Sequence, residues 1–97
     1  MVYNNVLLRV KDIKNISLVG ELLKEQAKRS SEEPGCIRFE VYHSSSDAQQ
    51  FILVEQWANE ADLERHKNAK AFTEFYLPKV IPLVDRSPHL SELLWPE

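Results

Sequence analysis

From Val2 to Val10 the chain alternates, with Val2, Asn4, Val6, Leu8 and Val10 on one side and Tyr3, Asn5, Leu7 and Arg9 on the other. A period of two with β-branched residues predicts a strand. A polar break, Lys11 to Lys14, leads to Asn15, a residue type suited to capping a helix. Ile16, Val19, Leu22, Leu23, Gln26 and Ala27 then recur at helical spacing, with Lys24, Glu25 and Lys28 on the far face. The helix is predicted to end within Ser30 to Glu33, because Pro34 disfavours helical geometry in Glu33 and Gly35 admits a positive φ.

Cys36 to His43 alternates again, Ile37, Phe39 and Val41 opposing Arg38, Glu40 and Tyr42. The polar stretch Ser44 to Gln49 connects it to a third strand, Phe51 to Trp57, and the two are expected to form an antiparallel hairpin. Asn59 caps a further helix, with Glu60 and Asp62 at its positive end and Leu63 and His66 on one face. Phe72, Phe75, Tyr76, Lys79 and Val80 continue at helical spacing until Pro78 disturbs the hydrogen-bonding ladder. Pro82 to Pro88 is expected to be an exit loop and Leu90 to Trp95 a last strand.

The order β-α-β-β-α-β predicts an α+β fold of the ferredoxin-like, split βαβ kind: one antiparallel sheet with helices on a single face. Its 97 residues suffice for one domain, expected to span 1–97. The uncovered sheet face is not polar. Tyr3, Leu7 and Tyr42 point there, joined by either Phe51, Leu53 and Trp57 or Ile52 and Val54. A small domain with apolar side chains on both sheet faces is expected to cover the second by forming a homodimer. At about 25 cal/mol/Å², several hundred Å² per subunit would contribute on the order of 10 kcal/mol before association entropy.

The remaining properties narrow the partners. A net charge of −3 lacks the basic face that phosphate backbones require, so nucleic acid is not expected. The longest apolar run, Phe51 to Val54, is far short of the roughly 20 residues that cross a bilayer. The first residues lack the basic flank and apolar stretch of a signal peptide, and the lone Cys36 suits a reducing compartment; a cytoplasmic location is expected. The three histidines fall on separate elements and the two glycines form no phosphate loop, so neither a metal nor a cofactor is expected.

Four signatures, in order, carry a family resemblance. Glu33-Pro34-Gly35-Cys36 leads into Ile37-Arg38-Phe39-Glu40-Val41; Phe51 to Trp57 reads Phe-Ile-Leu-Val-Glu-Gln-Trp; Leu63-Glu64-Arg65-His66-Lys67 follows; Ile81-Pro82-Leu83-Val84 closes the series. Together they resemble the antibiotic biosynthesis monooxygenase family, with Glu33 to His66 most similar to the branch that processes phosphorylated autoinducer-2. The resemblance implies a dimeric α/β barrel with a small-molecule pocket between sheet and helices. Three activities stay open: cofactor-independent oxygenation of a small phenolic or enolisable substrate, isomerisation of a small phosphorylated carbonyl compound, or ligand binding without catalysis.

His66 is the leading catalytic candidate, since it shares a helix face with Leu63 and a neutral imidazole transfers protons near neutral pH. Relatives commonly carry a second histidine where this chain has Ala71, so a two-histidine relay is not available. The haem-degrading branch carries a Trp at the His66 position and a later His near Tyr76, and haem binding is not expected here. Glu55 is the second catalytic candidate. Facing the enclosed side, its pKa would rise and it would act as a base; facing the other side, it would pair with Arg9 or Arg38, the expectation favoured by the residues. Asn4 is placed to hold a substrate oxygen, Trp57 to stack on a planar substrate, and Phe72 and Tyr76 to line the pocket, with packing in the core as the alternative for the three aromatics.

Overall fold

The computed structural model describes all residues, Met1–Glu97. Strands β1 (Val2–Val10), β2 (Cys36–His43), β3 (Gln50–Trp57) and β4 (Val84–Ser91) form one antiparallel sheet in the order β2-β3-β1-β4. Helices α1 (Ile16–Ser31) and α2 (Glu60–Asn68), a π-helical segment Ala71–Tyr76 and a short α3 (Leu77–Lys79) complete the ferredoxin-like α+β arrangement.

One sheet face holds the core. Val6, Leu8 and Val10 of β1 and Phe51 and Leu53 of β3 are buried with Val19 and Leu23 of α1, Tyr76, Val80 and Val84. The parity left open for β3 is thereby settled: Phe51, Leu53, Glu55 and Trp57 are buried, while Ile52 and Val54 lie on the opposite face and are only partly covered. Tyr42 and Leu7 on that opposite face are exposed, as expected for a sheet with one covered side.

Three local expectations change. Asn15 makes no side-chain cap; Asp12 instead accepts from the Lys14 amide and starts a 3-10 turn, Ile13–Asn15, that runs into α1. In β2 the pairing register shifts between Cys36 and Arg38, and this bulge leaves Ile37 exposed while Phe39 keeps its inward direction. The last strand starts six residues earlier than predicted, so Asp85 to Pro88 belongs to β4 rather than to an exit loop. Pro88 is tolerated because β4 is an edge strand with β1 as its only neighbour. Lys79, grouped with apolar positions by spacing, is exposed. The π-helical hydrogen bond from the Leu77 amide to the Phe72 carbonyl widens that turn and shifts the buried set to Ala71, Phe75 and Tyr76.

Candidate functional site

The core changes character at one end of the sheet. Beyond Leu53 and Val6, the next inward positions on β3 and β1 are Glu55 and Asn4, which pair directly across the ladder. Both are buried, at 3% and 5% exposure. Glu55 therefore takes the enclosed side, and the expected pairing with Arg9 or Arg38 does not occur. Arg9 binds Asp47 at 2.6 Å and Arg38 binds Glu40 at 2.7 Å, both at the surface.

Glu55 is held by two donors. Trp57 Nε1–H donates to its Oε1 at 3.1 Å, and Asn4 Nδ2–H reaches the same oxygen at 3.5 Å. Burial raises the Glu55 pKa, against these hydrogen bonds and the nearby His66, which lower it. A carboxyl group so placed is a stronger base than one in water.

His66 descends onto Glu55 from α2. Asn59 caps this helix by accepting from the Asp62 amide at 2.9 Å, which fixes the first turn and directs Leu63 and His66 to the sheet. The imidazole Nε2 lies 4.0 Å from Glu55 Oε1. Its ring sits against Trp57 at 4.6 Å between centroids, with Phe72 and Phe39 edge-on at 5.5 and 5.9 Å. Burial lowers the His66 pKa, Glu55 opposes that shift, and Arg86 and Lys67 add to it. The ring is thus biased toward its neutral, proton-accepting form.

A residue placed in a loop by the sequence reading completes the other side. Arg86 of β4 points inward and donates from Nε to the Tyr76 hydroxyl at 3.0 Å. With Asn4, Lys67, Pro88 and Leu90 it lines a cleft of about 290 Å³. Asn4 Oδ1 has no hydrogen-bond partner although it is fully shielded. A larger groove of about 560 Å³ runs along the end of the sheet and shares Lys67 and Leu90 with this cleft; Glu55 and His66 line neither, and lie behind Asn4.

The six predicted residues are therefore gathered in one region, in different capacities. Glu55, His66 and Asn4 form its polar centre. Trp57 is fully buried and braces both Glu55 and His66, so stacking on a substrate is not its position. Phe72 packs between His66 and Tyr76, and Tyr76 is buried beside Arg86. Two participants were missed. Arg86 would have been found by starting β4 at Val84, since Val84, Arg86 and Pro88 then alternate on the covered face. Glu33 contacts His66 Nδ1 at 2.6 Å, and no spacing rule connects positions 33 and 66. Cys36 is half-buried, and burial together with Glu33 and Glu55 pushes its thiol up to about 11, as expected for an unreactive cysteine.

Comparisons with known proteins agree with this fold. A structure from Bacteroides thetaiotaomicron, described as a conserved protein of unknown function and possible oxidoreductase, superposes with a TM-score of 0.87 at 27% identity, covering 95% of this chain and 96% of the other. SnoaB, a cofactor-independent oxygenase from Streptomyces nogalater, superposes with a TM-score of 0.85 over 99% of this chain and 97% of its own, at 13% identity, which speaks for the fold alone. An uncharacterized protein of Synechocystis sp. is 34% identical over 63% of this chain, and the match spans only 36% of that relative's length. The sequence profile described as antibiotic biosynthesis monooxygenase matches residues 1–76, and this chain belongs to that family.

Proposed function

We propose that the chain is a cofactor-independent monooxygenase acting on a small phenolic or enolisable substrate, with Glu55 and His66 as its base. The observation that carries this reading is the buried carboxylate and imidazole 4.0 Å apart, beside an amide oxygen with no protein partner. A pair of this kind can take a proton from a substrate seated in the cleft over Asn4, and such contacts commonly shorten once substrate is bound. Arg86 and Lys67 at the cleft favour the oxyanion that forms. The resulting carbanion or phenolate reacts with dioxygen: a CH2 centre becomes a carbonyl carrying one oxygen atom, and the second oxygen leaves as water with both hydrogens. The fold shared with SnoaB supports this reading.

The two cations at the cleft also favour a second reading, isomerisation of a small phosphorylated carbonyl compound by the same base. There the proton removed would return to a neighbouring carbon and no oxygen would be consumed. The reading further includes a homodimer closed through the sheet face that bears Tyr3, Leu7, Tyr42, Ile52 and Val54.

Oxygen uptake with anthrone, comparing the native protein with His66→Ala, tests the first reading. Uptake that falls at least about 100-fold in the variant is expected, the usual scale for losing a general base. Equal rates in both proteins would remove His66 from the chemistry. Binding of anthrone with no uptake in either would leave the ligand-binding module in its place.

A further inference from the structure

We propose that Glu33 is the solvent end of a proton path that starts at Glu55 and passes through both ring nitrogens of His66. Glu33 closes the turn after α1, and its Oε1 lies 2.6 Å from His66 Nδ1. On the other side of the ring, Nε2 faces Glu55 Oε1 at 4.0 Å. The imidazole therefore stands between two carboxyl groups, one buried at 3% exposure and the other only partly covered.

Glu33 and His66 also share a cavity of about 70 Å³ with Pro34, Asp62, Arg65 and Ala69. The wall of that cavity is apolar, so the proton leaves through the exposed part of the Glu33 carboxyl group, which is only partly covered. The cleft over Asn4 lies at the opposite end of the path. A proton taken by Glu55 from a substrate can pass to His66 Nε2, while the Nδ1 proton moves to Glu33 and then to bulk water. One proton enters, one leaves, and the ring is left with a single proton now on Nε2. The path runs in reverse as the second oxygen leaves: a proton returns through Glu33 to Nδ1, the Nε2 proton passes back to Glu55 and on to the departing water, and the ring regains its Nδ1–H tautomer.

The path requires His66 to rest with its proton on Nδ1, because only then is Nε2 free to accept. A carboxylate at Glu33 enforces that tautomer by accepting from Nδ1–H. Burial raises the Glu33 pKa to about 7, so the group can both accept and release a proton near neutrality. The charged groups facing this pair are Glu55 from β3, Arg86 from β4 and, on α2, Lys67 and the Asp62–Arg65 ion pair at 2.7 Å. Ala71 leaves the chain without a second helix histidine, and the group that reaches His66 Nδ1 is Glu33, from a different element.

The proposal rests on the Glu55–His66 reading above, but its test needs no turnover. Long-range 1H–15N correlation spectra of the full chain with ring-15N histidine report the tautomer of His66 directly. Above pH 7.5, roughly half a unit past the Glu33 value, the native protein is expected to show Nδ1 protonated and Nε2 bare. Glu33→Gln, nearly isosteric and at a partly exposed site, is expected to raise the Nε2–H fraction at least tenfold, the change that about 1.4 kcal/mol of lost charge-assisted bonding produces. A native spectrum already dominated by Nε2–H overturns the proposal without any variant. So does an unchanged tautomer ratio in Glu33→Gln. Failure to consume oxygen with phenols would leave these spectra as they are, so the two readings fail separately.

Discussion

Trp57 Nε1 donates its hydrogen to Glu55 Oε1 at 3.1 Å, and both residues are almost fully excluded from water. A buried carboxylate is expensive unless donors satisfy it, and here the indole supplies the better of only two. The same indole lies against His66 with its ring plane tilted by 31°, so one side chain holds the base and the imidazole together.

Replacing Trp57 with Phe is therefore expected to cost about 2–4 kcal/mol, combining an unsatisfied acceptor with lost packing. It should also push the Glu55 pKa further up. Urea unfolding at pH 5 and pH 8 checks both effects, because the variant should lose more stability at pH 8, where the undonated carboxyl must ionise.

The raised carboxyl groups give a second prediction. A group whose folded pKa lies above its unfolded value holds extra protons in the native state, so its contribution falls as pH rises between the two values. For Glu33 that window runs from about 4.5 to about 7. His66, with a lowered pKa, acts in the opposite sense below 6.5. The comparison of Glu33→Gln with the native protein isolates the first effect. The variant should gain about 1–2 kcal/mol relative to native between pH 4.5 and 7.5, a figure discounted for the partial exposure of Glu33. Unfolding curves with parallel pH dependence would contradict it.

The turn that presents Glu33 depends on Gly35, whose φ of 81° suits only glycine and where an added Cβ would collide with the Asp62 side chain. Gly35→Ala should destabilise by about 1–3 kcal/mol, through the left-handed backbone and the displaced carboxylate. A lower urea midpoint with an unchanged slope is the expected result.

Asn4 offers a separation of binding from stability. Its Oδ1 has no partner and its Nδ2 contact with Glu55 is at the limit of a hydrogen bond. Asn4→Ala should cost less than about 1 kcal/mol of stability. If the amide holds a substrate oxygen, the thermal shift given by a naphthol-like phenol should shrink by an amount equivalent to about tenfold weaker binding.

Much of the fold was legible because period-two and period-3.6 patterns are local. β1, β2, β3, α1 and the Asn59-capped α2 follow directly from them. Departures arose where tertiary contacts overrule local preference: a bulge turns Ile37 outward, Pro88 is absorbed at a sheet edge, and a π-helical turn resets the buried face after Ala71. The site was legible in part for the same reason. His66 and Asn4 follow from face and parity. Glu55 could be placed only once the parity of β3 was known, and Glu33 and Arg86 reach the site through pairings that sequence spacing does not encode.

The central claim is that Glu55 and His66 work as one base. A double-mutant cycle on oxygen uptake with anthrone tests it, using native protein, Glu55→Gln, His66→Ala and the double variant. Groups acting as a unit give non-additive losses, so each single variant should lose about 100-fold or more and the double variant little beyond either. Losses that multiply, or a single variant with native rates, would show two independent residues and no shared base.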